Sequence, residues 1–409
     1  MHYWINQFLA TPDQPGGTRH IDFAARLRRQ GVPVELVASD FNLTARRYTR
    51  RGGGGSIRPV TEEVDGVPVH FLWAAPYRGN DWRRYANMVS FGAAVGAFLS
   101  RAPVVADTVF IGSSPSLLAA QAAAFAAAFR GVRFVLEVRD LWPESLIEVS
   151  GRDGAVARVL RRIADDLYRR ADRIIVLAEG SIGPIVDRGI DRGKIVCVPN
   201  SVDPAQFATP SSYPDVTLRA DRFCAIYAGA HGAANDLDTL VEAARLLQEG
   251  GNDRVQIVLV GDGPEKPRLV GRVRSQKLGN VTFLDPVPKA AIPGLFSRCH
   301  AGILVLRDLP LFRYGVSPNK LFDYMAAGLP VVTNVPGECT DIITRAGCGV
   351  CVAPGNPRAL ADGLAALAGD PTATARGAAG RRHVLEHFNR DNLVGRLRNV
   401  ILGTQRGPA

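Results

Sequence analysis

Gly315-Val316-Ser317-Pro318-Asn319-Lys320-Leu321-Phe322-Asp323-Tyr324-Met325-Ala326-Ala327-Gly328-Leu329-Pro330-Val331-Val332 is the stretch on which the reading of this chain turns. It spells a loop, a Ser-Pro helix start, a short helix, a glycine stop and an apolar strand. Proline at the first helical position loses no hydrogen bond, because that amide has no partner inside a helix. Ser317 is expected to cap the free amides, and Gly328 followed by Pro330 ends the helix. The result is an open helix N-terminus with Lys320 in its first turn. Backbone amides, the helix dipole and an ammonium then converge on one point, which suits a phosphate or diphosphate. Lysine there opposes the dipole unless an anion is near, and only five of the 49 basic residues are lysines.

Outward from this stretch the chain alternates strands and helices. Residues 2–9 read as a strand, 11–18 as a Pro- and Gly-containing loop, 19–30 as a helix and 32–38 as a second strand. Further strands are expected at 67–73, 108–112, 133–138, 173–178 and 194–199. The Pro- and Ser-containing segment 204–214 reads as a linker. The same alternation restarts with strands at 223–227, 255–260, 281–284, 302–306 and 331–333, and helices at 237–249, 264–277, 359–368 and 375–402. This is the pattern of two doubly wound parallel sheets, giving two Rossmann-like domains facing each other across a cleft. The expected domains are 1–204 and 215–384, with a helix at about 385–405 available to pack back on the first.

At 409 residues the chain exceeds one ordinary core, and its 46% hydrophobic and 22% charged content is that of a globular protein. The net charge of +10 favours anionic partners. A nucleic-acid reading would rest on that charge alone, without interleaved aromatics. Six cysteines include one C-x-x-C pair, Cys348 and Cys351, with no second pair; free thiols in a reducing cytoplasm fit. Leu117 to Phe129 is too short to span a bilayer and reads as a buried Ala-rich helix. From Leu43 to Pro59 there are five arginines (Arg46, Arg47, Arg50, Arg51, Arg58), no acid and four consecutive glycines. That segment reads as a mobile basic loop: either a solvated linker or an arm over an anionic acceptor or lipid headgroups.

Glycine-rich strand ends mark where a ligand can approach backbone. They are Gly16-Gly17, Gly229-Ala230-His231-Gly232 and Gly261-Asp262-Gly263-Pro264. Asp236-Leu237-Asp238 has the D-x-D spacing of metal-dependent transferases but sits at a helix start, where acids are ordinary caps. The other histidines show no ligand spacing, so no metal site is expected.

With Asn6-Gln7-Phe8, Pro15-Gly16-Gly17-Thr18-Arg19, Glu137-Val138-Arg139-Asp140-Leu141-Trp142-Pro143, Val198-Pro199-Asn200-Ser201-Val202-Asp203, Gly261-Asp262-Gly263-Pro264 and Ser317 to Pro330, the chain resembles the retaining GT-B glycosyltransferases of family four. The likeness is to their bacterial O-antigen and capsule branch, which includes fucosamine-transferase-like enzymes. The resemblance implies transfer of a sugar, an N-acetylated hexosamine or deoxyhexosamine, from a nucleotide diphosphate donor with retention. It implies a UDP-sugar as donor, with no cofactor. The acceptor is expected to be lipid-linked or another membrane-surface glycan, and the enzyme cytoplasmic or peripheral on the inner membrane face.

The resemblance also distributes roles. Donor contacts fall on Gly16, Gly17, Gly229, His231, Gly232, Gly261, Lys266, Arg268, Val287, Ser317, Pro318, Asn319 and Asp323. Lys320, Asp140, Arg139 and Glu144 are the catalytic candidates. Lys320 and fixed amides would stabilise the leaving diphosphate, and Asp140 or Glu144 would orient the acceptor or act as base. An Arg139–Asp140 ion pair of purely structural role is the other reading. His231 is either a phosphate contact or a surface residue. Where relatives carry two glutamates this chain has Gly315 and Asp323, and where they carry Arg and Lys for the phosphates it has His231 and Asn235, so Lys320, Lys266 and Arg268 are left to supply charge. The alternatives are a GT-B-fold sugar-nucleotide epimerase or hydrolase, and a non-catalytic nucleotide-sugar-binding subunit.

Overall fold

The computed structural model describes the chain except residues 15, 43–45, 52–55, 80, 81, 152, 209–217, 220 and 405–409, and leaves the side chains of 149 and 150 undescribed. Pro15, the four glycines of the basic loop and most of the expected linker therefore lie outside the described residues. By contacts the chain divides into two units, one of residues 1–11, 18–199 and 393–409, the other of residues 12–17 and 200–392.

The first unit holds strands β1 (His2–Ile5), β2 (Val34–Ser39), β3 (Phe41–Asn42), β4 (Arg47–Tyr48), β5 (Val60–Val64), β6 (Val67–Leu72), β7 (Val109–Ser113), β8 (Arg133–Val138), β9 (Arg173–Val176) and β10 (Ile195–Cys197). Its sheet runs β10-β9-β8-β7-β1-β2-β6-β5. All pairs are parallel except β5, which returns antiparallel on β6. Strand order reverses between β1 and β7, the point where open α/β sheets form a crevice. The first strand is shorter than its apolar run: it stops at Ile5, and the Asn6 side chain then turns the backbone by accepting the Phe8 amide. Trp4, Ile21, Val34, Val109 and Val135 share one core with Leu393, Val394, Leu397, Val400 and Ile401. The expected single helix at 375–402 is two, Ala373–His387 and Arg390–Leu402. They part where Val202 takes over the backbone bonds of Phe388 and Arg390.

Two expectations for this unit are corrected. The helix Leu117–Arg130 buries most of its alanines, but Phe125 and Phe129 are 52% and 79% exposed. The basic loop is built around a buried carboxylate. Asp40 is fully buried and accepts the amides of Thr49 (3.0 Å), Arg50 (2.7 Å) and Arg51 (3.0 Å) as well as Arg51 Nε (2.5 Å). Arg50 pairs with Glu62 at 2.9 Å, and β4 pairs antiparallel with β3. Asp40 precedes the segment, so a reading that looked for acids within it missed the residue that folds it.

The second unit contains β11 (Phe223–Ala228), β12 (Val255–Val260), β13 (Val281–Leu284), β14 (Ala301–Leu304), β15 (Val331–Thr333) and β16 (Gly349–Cys351), in the order β13-β12-β11-β14-β15-β16, all parallel. This is the doubly wound order, with its switch point between β11 and β14. Every residue of β12 is buried, as a central strand covered on both faces by helices requires. Two cores lie on either side: Ile226, Val258, Leu304, Leu321 and Met325 on one, and Tyr227, Leu240, Ile257, Ile303 and Leu364 on the other.

Candidate active site

In the second unit the glycine-rich loops gather beyond the carboxyl ends of β11 and β12. Gly261 has φ of 138°, and a Cβ there would fall 2.0 Å from the Gly229 carbonyl oxygen. Only glycine allows the two loops to run this close. The His231 amide donates to the Asp262 carbonyl (2.8 Å) and the Glu265 amide to the His231 carbonyl (3.0 Å), locking the loops together.

Lys320 enters this corner from the helix Asn319–Ala326. Its Nζ lies 4.2 Å from the ring centroid of Tyr227 and donates to the Tyr227 hydroxyl at 3.0 Å. That hydroxyl in turn donates to the Ala230 carbonyl (2.8 Å). A Cβ on Gly229 would stand 2.9 Å from the ammonium, so the glycine makes room for it. Lys320 has no carboxylate partner among the described residues. Desolvation pushes its pKa down to about 7, since burial favours the neutral amine. Tyr227 was not singled out in the sequence. Its role follows from being the next-to-last residue of the strand at the switch point, a position visible only once strand order is known.

His231 is fully buried, and neither ring nitrogen has a hydrogen-bond partner among the described residues. Burial, with Lys266 and Lys320 nearby, lowers its pKa to about 4, so the ring is neutral. A neutral imidazole with both nitrogens unsatisfied is costly unless a ligand or water completes it. Its burial excludes the surface-residue reading.

The helix start differs from expectation. Pro318 has ψ of 123° and occupies the N-cap, and the helix begins at Asn319. Ser317 is not the cap: its Oγ accepts the Asn200 amide at 3.0 Å, and its carbonyl accepts the Asn200 side chain. With no side chain capping it, the helix presents its first amides open. Gly315 has φ of 150°, which disfavours any side chain there. Residues 12–17 group with this unit, and a Cβ on Gly17 would lie 2.6 Å from Asn319 Nδ2. Gly16 has φ of 136°.

Lys266 and Arg268 are each held by carboxylates, Lys266 half-buried and Arg268 on the exposed surface. Lys266 Nζ donates to the carbonyls of Gly261 (2.9 Å) and Leu284 (3.2 Å) and pairs with Asp285 (2.9 Å). Arg268 pairs with Asp238 and Glu265. Asp323 pairs with Lys289. Val287 is half-buried against the core, and Gly232 precedes the short turn Ala233–Asn235. Asp236 accepts Thr239 Oγ1 (2.8 Å) and Asn334 Nδ2 (3.2 Å), while Asp238 is held by Arg268 and Arg272. The D-x-D carboxylates are thus spent on the fold.

The first unit carries the remaining candidates beyond β8. Asp140 is exposed. Arg139 is half-buried with its Nε unpartnered, and it does not form the ion pair with Asp140 that the sequence allowed. Glu144 is held by Arg188 (2.6 Å) and Arg161 (3.4 Å) at the start of the helix Glu144–Ser150. This leaves Asp140 as the accessible carboxylate of the pair. Glu137, two residues before Arg139, is fully buried. Burial alone would raise its pKa, but His20 (2.8 Å), Arg19 (3.1 Å) and Arg139 hold it well below the carboxylate range.

Two family models match the chain. One described as a glycosyl transferase 4-like domain covers residues 16–201, and one described as glycosyl transferases group 1 covers residues 222–370. The probable glycosyltransferase WbjE of Pseudomonas aeruginosa is 25% identical over 264 residues, 62% of this chain and 64% of its own. Glycogen synthase of Mycobacterium tuberculosis is 24% identical over 261 residues, 62% of this chain and 59% of its own. The chain thus spans about three fifths of these relatives' lengths. Among solved structures, sucrose-phosphate synthase from Thermosynechococcus elongatus superposes with a TM-score of 0.75 at 18% identity, covering 99% of both chains. Anabaena HepE in complex with UDP-glucose gives 0.70 at 15% identity, again over 99% of both. These neighbours share the GT-B fold.

Proposed function

The chain belongs to the group 1 glycosyltransferases, and from that premise we propose that it moves an N-acetylated hexosamine or deoxyhexosamine from UDP to a lipid-linked or other membrane-surface glycan in bacterial polysaccharide synthesis, with retention at the anomeric carbon. The observation that carries this reading is Lys320, an ammonium without a carboxylate partner among the described residues, beside an uncapped helix start. Departure of a nucleoside diphosphate develops negative charge, and a fixed ammonium with open amides stabilises it without a metal. In the proposed step the bond from C1 to the diphosphate oxygen breaks while the acceptor oxygen bonds to C1 on the same face. The acceptor proton passes to the departing diphosphate oxygen. Asp140 orients the acceptor.

UDP is favoured by the likeness to HepE, whose structure holds UDP-glucose. Work at the inner membrane face fits an apolar groove of about 570 Å³ on the first unit, between the helices Trp82–Leu99 and Leu117–Arg130, where Val89, Phe125 and Phe129 are exposed. No helix among the described residues is long and apolar enough to cross a membrane. The test incubates the protein with UDP-sugars, with and without a membrane-lipid extract. Release of UDP only with the extract, and a product with the donor's anomeric configuration, supports transfer with retention. UDP release without acceptor points instead to a hydrolase or epimerase, and nucleotide binding without turnover to a binding subunit.

A further inference from the structure

The first unit has a second basic site, far in sequence from Lys320 and built differently. A pocket of about 590 Å³ opens between the described residues of the β3–β4 hairpin and Pro76, Tyr77, Arg78 and Arg83. Its floor is aromatic: the Phe41 ring lies 5.5 Å from Tyr48 and 5.1 Å from Tyr77. The Tyr48 hydroxyl is fixed to the Ala74 carbonyl (2.9 Å), and Tyr77 is buried. Arg46, Arg47, Arg78 and Arg83 stand exposed around the rim. The Arg46 guanidinium donates to the Arg78 carbonyl, tying one side of the rim to the other. Arg47 and Arg78 make no side-chain hydrogen bond or ion pair among the described residues. No carboxylate lines the pocket among the described residues, and Asp40 beneath it is spent on Arg51 and three amides.

Like charges are not gathered around a concave surface without cost, and two unpartnered guanidiniums repel until an anion joins them. Guanidinium forks match the oxygens of a phosphoryl group in pairs, and rigid rings give a flat apolar bed for a sugar face. The volume is that of a small-molecule site. We propose that this pocket binds the phosphoryl group of a phosphorylated acceptor, the Arg46, Arg47 and Arg78 guanidiniums taking the oxyanion and Tyr48 and Tyr77 the adjoining ring. This rests on the reading of the chain as a transferase whose acceptor is oriented by Asp140 of the first unit. The same oxyanion chemistry is found in a lipid-linked diphosphate and in an anionic phospholipid headgroup, and the experiment separates the two.

Pyrophosphate is titrated into the full chain by calorimetry with UDP held at saturation, so that the donor site is filled. The wild type is expected to retain a pyrophosphate site whose affinity falls with added salt. Arg46→Ser/Arg47→Ser/Arg78→Ser is expected to weaken it by roughly tenfold or more per guanidinium removed, with UDP affinity unchanged. Arg78→Lys, which keeps the charge but not the fork, should fall between. A melting temperature equal to wild type checks that the fold survives loss of the Arg46 bond to the Arg78 carbonyl. Competition by phosphatidylglycerol vesicles, but not phosphatidylcholine vesicles, would identify a headgroup as the source, and its absence a soluble or glycan-borne diphosphate. No pyrophosphate site in the presence of UDP, or equal affinity in the triple variant, overturns the proposal. Vesicle binding lost in the triple variant with no pyrophosphate site overturns it too, and makes the arginines a membrane patch. Failure of UDP to bind at all refutes the transferase reading, whatever the pyrophosphate result.

Discussion

Each unit buries a polar cluster at the carboxyl ends of its central strands, and the two are finished to different degrees. In the first, Glu137 accepts from Arg19 Nε, from His20 Nε2 and from Ser113 Oγ (2.6 Å). Ser113 Oγ accepts Trp4 Nε1 (3.0 Å), His20 Nδ1 faces Asn6 Nδ2 (3.0 Å), and the Arg19 fork donates to the carbonyls of Val198 (2.8 Å) and Pro199 (2.6 Å). In the second, among the described residues, Lys320 bonds a tyrosine hydroxyl alone and His231 bonds nothing through its ring. A saturated buried network holds the fold, whereas an unsaturated one costs stability and persists where a ligand completes it. Mutation should therefore damage the first cluster through folding and the second through binding.

The largest expected effect is on the saturated side. Glu137→Ala leaves the Arg19 guanidinium buried without a carboxylate, which costs about 3–5 kcal/mol. Chemical denaturation measures this, and a loss under about 1 kcal/mol would show that the network is decoration. Lys320→Ala should do the reverse. Removing an ammonium aimed at developing charge lowers the transfer rate by roughly 10²–10³-fold, while the melting temperature holds or rises because a desolvated amine is gone. Near wild-type turnover, or a variant that unfolds, would erase the contrast.

Acidity sharpens the comparison next. With its pKa pushed down to about 7, Lys320 is protonated below neutrality and increasingly neutral above it in the unliganded protein. A diphosphate favours the ammonium, so binding above pH 7 takes up a proton. UDP affinity should fall by about tenfold for each unit above 7, until the raised pKa of the complex is reached. Calorimetry across pH 6–9 reads this limb. Lys320→Met should bind more weakly and lack it, and an unchanged limb in that variant would assign it to another group.

Much of the fold was legible because its signals are local. Val255 to Val260 is apolar at every position but Gln256 and reads as a strand covered on both faces, and Leu237 to Glu249 carries its helical stripe openly. The donor corner was legible to the extent that glycines and one scarce lysine mark it. What stayed hidden depends on partners distant in sequence. Ser317 reads as a cap until Asn200, 117 residues earlier, is found on its hydroxyl. Arg50 and Arg51 read as a loose arm until Asp40 and Glu62 claim them. Tyr227 reads as one more core aromatic until strand order puts it under Lys320.

His231 gives the finest test, because it separates an unsatisfied group from a merely buried one. Phe fills the ring's place without nitrogens, so His231→Phe removes two orphaned polar atoms and leaves packing against Tyr227 and Phe283. Replacing an unpartnered polar group by an apolar one of like shape is neutral or stabilising, by about 1 kcal/mol here. If a bound donor completes the imidazole, the same variant should weaken UDP or UDP-sugar binding by about fivefold to tenfold while the pH limb of Lys320 survives, because the imidazole is already neutral across that range. Thermal melts with and without UDP measure both at once. A destabilised His231→Phe would mean that the ring already has partners in the folded protein, and the distinction between a finished and an unfinished cluster would rest on Lys320 alone.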